Sequence, residues 1–189
     1  ITNWIFDLIF PKICLGCGNF THSTGSTSSQ QASSRSSLSL RAHPSESKTG
    51  QARNDFDYVC RRCFRELELK NNFECIGCKR DVKFGLTCVS CKKENPIDQL
   101  IVAAELSDSA VDKMLKMYKY KFISDMSRPL SVIAKKSIKK LLHRGVNLFY
   151  GNPLILPVPL HKKRLNWRGF NQSELMAKNI ADTYHINYR

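Results

Sequence analysis

No stretch of this chain approaches the ~20 consecutive apolar residues that a membrane-spanning helix needs. Residues 1–10, ITNWIFDLIF, are apolar but carry Asp7, and they lack both a basic leader and a small-residue cleavage site. We therefore expect no secretory signal here, and a cytoplasmic protein in which these residues form a short amphipathic helix. Acidic residues are scarce. There are 16 Asp or Glu against 30 Lys or Arg, a formal charge of +14. Such an imbalance points to anionic partners, whether nucleic acid, nucleotide phosphates or acidic membrane surfaces. Unpaired cysteine is also missing, since all eight cysteines fall in CxxC pairs.

Those pairs are Cys14/Cys17, Cys60/Cys63, Cys75/Cys78 and Cys88/Cys91. Two thiolates at this spacing sit on one tight turn and face one tetrahedral metal. Disulfides fit poorly with a cytoplasmic chain, and a redox CxxC does not account for four copies. We therefore predict two structural Zn2+ sites. Taking neighbours first gives Cys14, Cys17, Cys60 and Cys63 as one site and Cys75, Cys78, Cys88 and Cys91 as the other. Interleaved pairing is the main alternative. A module this small builds little core, so zinc worth ~10–16 kcal/mol would dominate its folding.

Residues 21–53 interrupt the first site, and 11 of them are Ser. With sparse apolar residues and no periodicity, the segment reads as a disordered insertion. His22 and His43 within it read as solvent-exposed rather than ligating. Lengthening the loop from roughly 9 to 42 residues costs only about 1.3 kcal/mol.

The basic character belongs mainly to the C-terminal half. Residues 101–189 hold 16 Lys or Arg against 6 Asp or Glu, whereas residues 54–100 hold 9 against 8. Asn95-Pro96 marks a boundary between a module at 1–95 and a domain at 96–189. Within the latter, Leu100–Ala104 reads as a strand, and Ser109 can cap a helix carrying Val111, Met114, Leu115 and Tyr118 at helical spacing. A second helix runs from about Ser127, with Pro129 in its first turn, to a stop at Gly145. The run Leu154-Ile155-Leu156 reads as a buried strand ended by Pro157 and Pro159. A turn dense in cations follows, His161, Lys162, Lys163, Arg164 and Arg168, with Gly169 freeing the backbone. Asn171 or Ser173 then caps a helix carrying Leu175, Met176 and Ile180. The order is α/β, and a strand, basic loop and helix N-terminus together suit an anion.

The four CxxC pairs, then LKMYKYKF (115–122), then LPVPLHKKRLNWRGFNQSELMA (156–177), resemble the ComF family of competence proteins. The likeness covers nearly the whole chain apart from the Ser-rich insertion. It implies a double zinc ribbon in front of a type I phosphoribosyltransferase-like domain. It further implies a protein that assists uptake of transforming DNA, beside a DNA-translocating helicase and in contact with single-stranded DNA. Carried over by position, Pro159–Arg164 takes the place of a pyrophosphate loop, and Arg168-Gly169-Phe170-Asn171-Gln172 that of the family's signature segment. The implied phosphate-binding residues are His161, Lys162, Lys163, Arg164, Arg168 and Gly169. Phosphoribosyl pyrophosphate with Mg2+ is the implied ligand of a complete homologue. This chain departs from the pattern in one respect: the later acidic pair and Thr/Gly-rich ribose-phosphate loop do not follow the last helix. We expect a C-terminally incomplete domain, inactive as a transferase in this form. A zinc-ribbon nucleic-acid-binding protein whose α/β part only binds is the alternative.

Overall fold

The computed structural model describes residues 12–21, 56–106 and 110–189. The N-terminal helix expected over residues 1–10, the Ser109 cap and the Ser-rich segment beyond Thr21 lie outside the described residues.

Around the cysteines the chain forms two copies of one small unit. In each, a knuckle closes a short hairpin, with antiparallel bridges Ile13–Phe20 in the first copy and Glu74–Asp81 in the second. The hydrogen bonds repeat position by position. The Cys14 amide donates to the Asn19 carbonyl at 2.8 Å and the Cys75 amide to the Arg80 carbonyl at 2.9 Å. Gly18 donates to Cys14 as Lys79 does to Cys75, and Thr21 to Lys12 as Val82 does to Phe73. The second knuckles open the short helices α1 (Arg61–Arg65) and α2 (Val89–Lys92). Thr21 belongs to this structure rather than to the insertion. It is 3% exposed, and its hydroxyl donates to the carbonyls of Lys12 and Asp57. The Lys12–Asp57 ion pair, at 2.7 Å, joins the same two strands of chain across the insertion.

Three longer helices follow, α3 (Ala110–Tyr120), α4 (Ser127–His143) and, further on, α6 (Gln172–Tyr184). Helix α3 buries Val111, Met114 and Tyr118, the stripe expected from its spacing. Pro129 sits in the first turn of α4, where its missing N–H costs nothing. Gly145 follows the helix end at φ +77°. Helix α4 packs along α6, and small residues are buried on both, Ser131 and Ser137 on one, Ala177 and Ala181 on the other. One core cluster runs through Val59 and Phe64 of the first ribbon, α3, and Met126, Leu130 and Ile133 at the start of α4. The first ribbon thus shares its apolar interior with the helices, across the expected boundary near Asn95-Pro96.

Two expected strands differ from what forms. Leu100–Ala104 makes no strand of its own. Its residues are spent on the ribbon side, with Leu100 donating to the Gly85 carbonyl at 2.9 Å and Lys70 donating to the Ala103 carbonyl at 3.2 Å. The strand at Leu154–Ile155 (β1) does form, and it pairs in parallel with Asn187–Tyr188 (β2) in the register 154 to 187 and 155 to 188. It is not a buried strand, however. Leu154, Leu156 and Val158 are exposed on alternate positions, so one face of β1 is open, and among the described residues its sheet has two strands. The architecture is a mixture of helices with a small parallel sheet.

Candidate metal centres and the cationic helix

The sulfurs of Cys14, Cys17, Cys60 and Cys63 lie within 4.8 Å of one another, and so do those of Cys75, Cys78, Cys88 and Cys91. The grouping is the neighbour-first one; interleaving is ruled out. In both clusters the second knuckle donates an amide to the first cysteine, Cys60 N to Cys14 Sγ at 3.3 Å and Cys88 N to Cys75 Sγ at 3.4 Å. Both need glycine at the third knuckle position. A Cβ on Gly16 would stand 2.7 Å from Cys63 Sγ, and one on Gly77 would stand 2.7 Å from Cys91 Sγ. The fourth cysteine therefore closes its cluster only over a residue without a side chain.

The electrostatics repeat as well. Burial pushes the Cys14 thiol up, but amides of Cys60, Cys17 and Gly16 outweigh it and bring the group down to about 6. Cys75 also falls to about 6, chiefly through the Cys88 and Cys78 amides. The last cysteine of each cluster moves the other way. Cys63 is raised by burial and by its three thiol neighbours; Cys91 is pushed up to about 12 by Cys88, burial and the remaining thiols. Four thiolates gather this closely only with a counter-charge, which a divalent cation would supply. An all-thiolate, four-ligand set suits Zn2+ and leaves no open position for chemistry, which fits a structural metal. The clusters differ in their surroundings. Arg80 Nε donates to Cys78 Sγ at 3.3 Å and depresses that thiol, while the matching place in the first ribbon is Asn19.

The six residues proposed from sequence to hold phosphate lie together on one short element. His161 caps α5 (Lys162–Arg168) by accepting the Lys163 amide on its Nδ1 at 3.3 Å. Gly169 ends it in the left-handed region at φ +78°. The expected basic loop is thus a seven-residue helix, on which Lys162, Lys163 and Arg164 are exposed and Arg168 is partly buried. Pro157, Pro159 and the xPro bias explain why the chain is extended up to His161, and no helix breaker follows until Gly169. Clefts of about 950 and 390 Å³ are lined by other residues, the larger beside the first ribbon and the smaller between the second ribbon and Arg144.

The segment LKMYKYKF and the segment WRGFNQ, far apart in sequence, meet in space. Tyr118 hydroxyl donates to the Gln172 carbonyl at 2.8 Å, and its ring lies 5.5 Å from that of Phe170. Burial pushes the Tyr118 phenol well up, so it stays protonated as a donor. Asn171 caps α6 by accepting the Ser173 amide at 3.2 Å, and its Nδ2 donates to the Val158 carbonyl at 3.3 Å. This ties the extended Pro157–Leu160 stretch to the start of α6. Sequence reasoning missed Tyr120 and Phe122 as neighbours of α5 and Tyr118 as the neighbour of Phe170; the acid-free run of alternating aromatics and lysines was the available signal.

No family model, curated protein or solved structure matches the chain. Among the described residues no helix is long and apolar enough to cross a membrane.

Proposed function

We propose that this chain is a ComF-like competence protein that assists uptake of transforming DNA. Two structural zinc ribbons stand in front of a phosphoribosyltransferase-like α/β region. Single-stranded DNA runs along the cationic C-terminal half, and a DNA-translocating helicase is the working partner. The observation that carries this reading is the junction of the two motif stretches at Tyr118, Phe170 and Gln172, beside the exposed cations of α5. Phosphoribosyl pyrophosphate with Mg2+ is the ligand this reading assigns to a complete homologue; in this chain His161, Lys162, Lys163, Arg164, Arg168 and Gly169 would offer only the pyrophosphate side of that site.

Charge reversal at Lys162, Lys163 and Arg164 tests the nucleic-acid part. Each phosphate contact contributes about 0.7 to the log–log salt slope of single-strand binding. The triple variant should lower affinity at low salt and flatten the slope by about 2. An affinity that is flat with salt, or unchanged by the reversal, contradicts the proposal.

A second reading, a zinc-ribbon nucleic-acid-binding protein whose α/β region only binds, is favoured by one observation. The cations sit on an exposed helix, and the two clefts described above are lined elsewhere. Calorimetry with inorganic pyrophosphate separates the two, since only the first reading expects saturable pyrophosphate binding lost in the same triple variant.

A further inference from the structure

Tyr120 and Phe122 leave the end of α3, and Trp167 and Arg168 close α5. Phe122 and Trp167 meet edge to face, ring centres 4.9 Å apart and planes at 83°. The Arg168 guanidinium lies 5.9 Å from the centres of both the Tyr120 and the Trp167 rings. It is fixed there by Nη1, which donates to Gln172 Oε1 at 3.1 Å. The four side chains therefore form one continuous patch. Contact among them leaves the three rings open, Tyr120 58% exposed, Trp167 60% and Phe122 38%, while Arg168 is partly buried between them. The adjoining aromatics Tyr118 and Phe170 do turn inward, so the outward position of the other three is not a general looseness of the region.

The charge that flanks the patch in sequence is mainly positive. Lys119, Lys121, Lys162, Lys163 and Arg164 flank it in sequence and are all exposed. No Asp or Glu occurs in residues 115–123 or 156–173. Exposed aromatic faces set among cations suit a ligand that is flat, apolar on its faces and strung on a polyanion. Duplex nucleic acid hides its base faces, whereas a single strand presents them.

We propose that Tyr120, Phe122, Trp167 and Arg168 form a stacking platform for unpaired nucleobases of a single-stranded nucleic acid. This rests on the single-strand reading above and deepens it, from attraction of the phosphate backbone to direct contact with bases. Lysines steer the strand in, and the rings and guanidinium hold its bases. The contact is tolerant of sequence, because every base offers a π face.

The test compares, on the full chain, an oligothymidylate with an abasic deoxyribose-phosphate oligomer of the same length and charge. Fluorescence anisotropy at one low salt concentration gives both affinities. Stacking is worth ~1–3 kcal/mol per base, so the abasic strand should bind at least about tenfold more weakly. Tyr120→Ala and Trp167→Ala should each weaken oligothymidylate about tenfold and leave the abasic oligomer unchanged, and Trp167→Phe should retain most of the difference. Equal binding of the two oligomers overturns the platform and leaves the charge-based reading standing. Binding of neither overturns both. An acidic peptide of matched charge that binds as tightly as oligothymidylate, and loses that binding in Trp167→Ala, assigns the patch to a protein partner and also overturns the proposal. The oligomer comparison uses the unaltered chain, so a variant that folds poorly does not decide it.

Discussion

Val59 stands immediately before the second knuckle of the first ribbon, and Thr87 holds the same place in the second. Val59 is fully buried and belongs to the cluster that runs on through α3 and α4. Thr87 is only partly buried and hydrogen-bonds to its own ribbon, Oγ1 to the Ile97 carbonyl at 2.6 Å. The contrast continues along the two units. Leu15, Phe64 and Cys63 of the first lie in or against the shared core; Val89 of the second is 85% exposed. Similar hairpins and identical ligand sets are thus joined to the rest of the molecule in different ways. One ribbon is part of the core, and the other lies outside that cluster, so its folding should depend chiefly on a bound metal.

The largest expected difference comes from removing a ligand. Cys63→Ser and Cys91→Ser each take away the fourth sulfur of a cluster, and each should release one zinc per chain. Structural zinc is worth ~10–16 kcal/mol, comparable to the whole stability of an ordinary domain, roughly 5–15 kcal/mol. In the first ribbon that loss falls on residues packed against α3 and α4, so Cys63→Ser should abolish cooperative melting of the helical signal. Cys91→Ser should leave the helices melting cooperatively while the second ribbon unfolds locally. Metal analysis together with thermal circular dichroism reads both effects. Equal loss of helical melting in the two variants would mean that the second ribbon also supports the core, and the contrast would fail.

A smaller test uses Val59 and Thr87 themselves. Val59→Ala should cost about 2 kcal/mol, from lost burial and the cavity left behind. Thr87→Ala forfeits one exposed hydrogen bond and should cost no more than about 1 kcal/mol. Urea midpoints of the helical transition measure both. A Thr87→Ala effect as large as that of Val59→Ala would place the second ribbon inside the same cooperative unit.

How much of this was readable beforehand depended on how local the determinants were. The ligand sets follow from CxxC spacing, and the neighbour-first grouping needed only short connections. Helices α3, α4 and α6 follow from the spacing of Met114 and Tyr118, the early Pro129, Gly145 and the Asn171 cap, all within a few residues of what they specify. The duplication was hidden because residues 22–55 lengthen the first copy alone, so no single period runs through both. The shared C-x-G-C of Cys14–Cys17 and Cys75–Cys78 was the trace it left. The strand expected at Leu100–Ala104 failed because an apolar run does not name its partner. Here Gly85 and Lys70 of the ribbon side claim its hydrogen bonds. The turn at His161–Arg168 became a helix because charge density was read as loop character, although Lys, Arg and Leu are good helix formers. The meeting of Tyr118 with Gln172 is a tertiary contact, and nothing local in either stretch specifies it.

The smallest effect tests the sameness of the two backbones rather than their difference. Gly18 and Lys79 hold equivalent positions, and both lie in the left-handed region, at φ +74° and +59°. A Cβ on Gly18 would meet nothing within 4 Å, so exchange at this position reports backbone preference without a packing term. A non-glycine residue in this conformation costs about 1–2 kcal/mol, partly offset because glycine loses more freedom on folding. Gly18→Lys should therefore destabilise by about 1 kcal/mol, and Lys79→Gly should stabilise by a similar or smaller amount. If the ribbons unfold as separate units, the first change moves the midpoint of the helical transition. The second changes only the local unfolding of the second ribbon, read by amide hydrogen exchange at Cys75 and Val82. Lys79→Gly raising the helical midpoint instead would show that the two units melt together, despite the different surroundings of Val59 and Thr87.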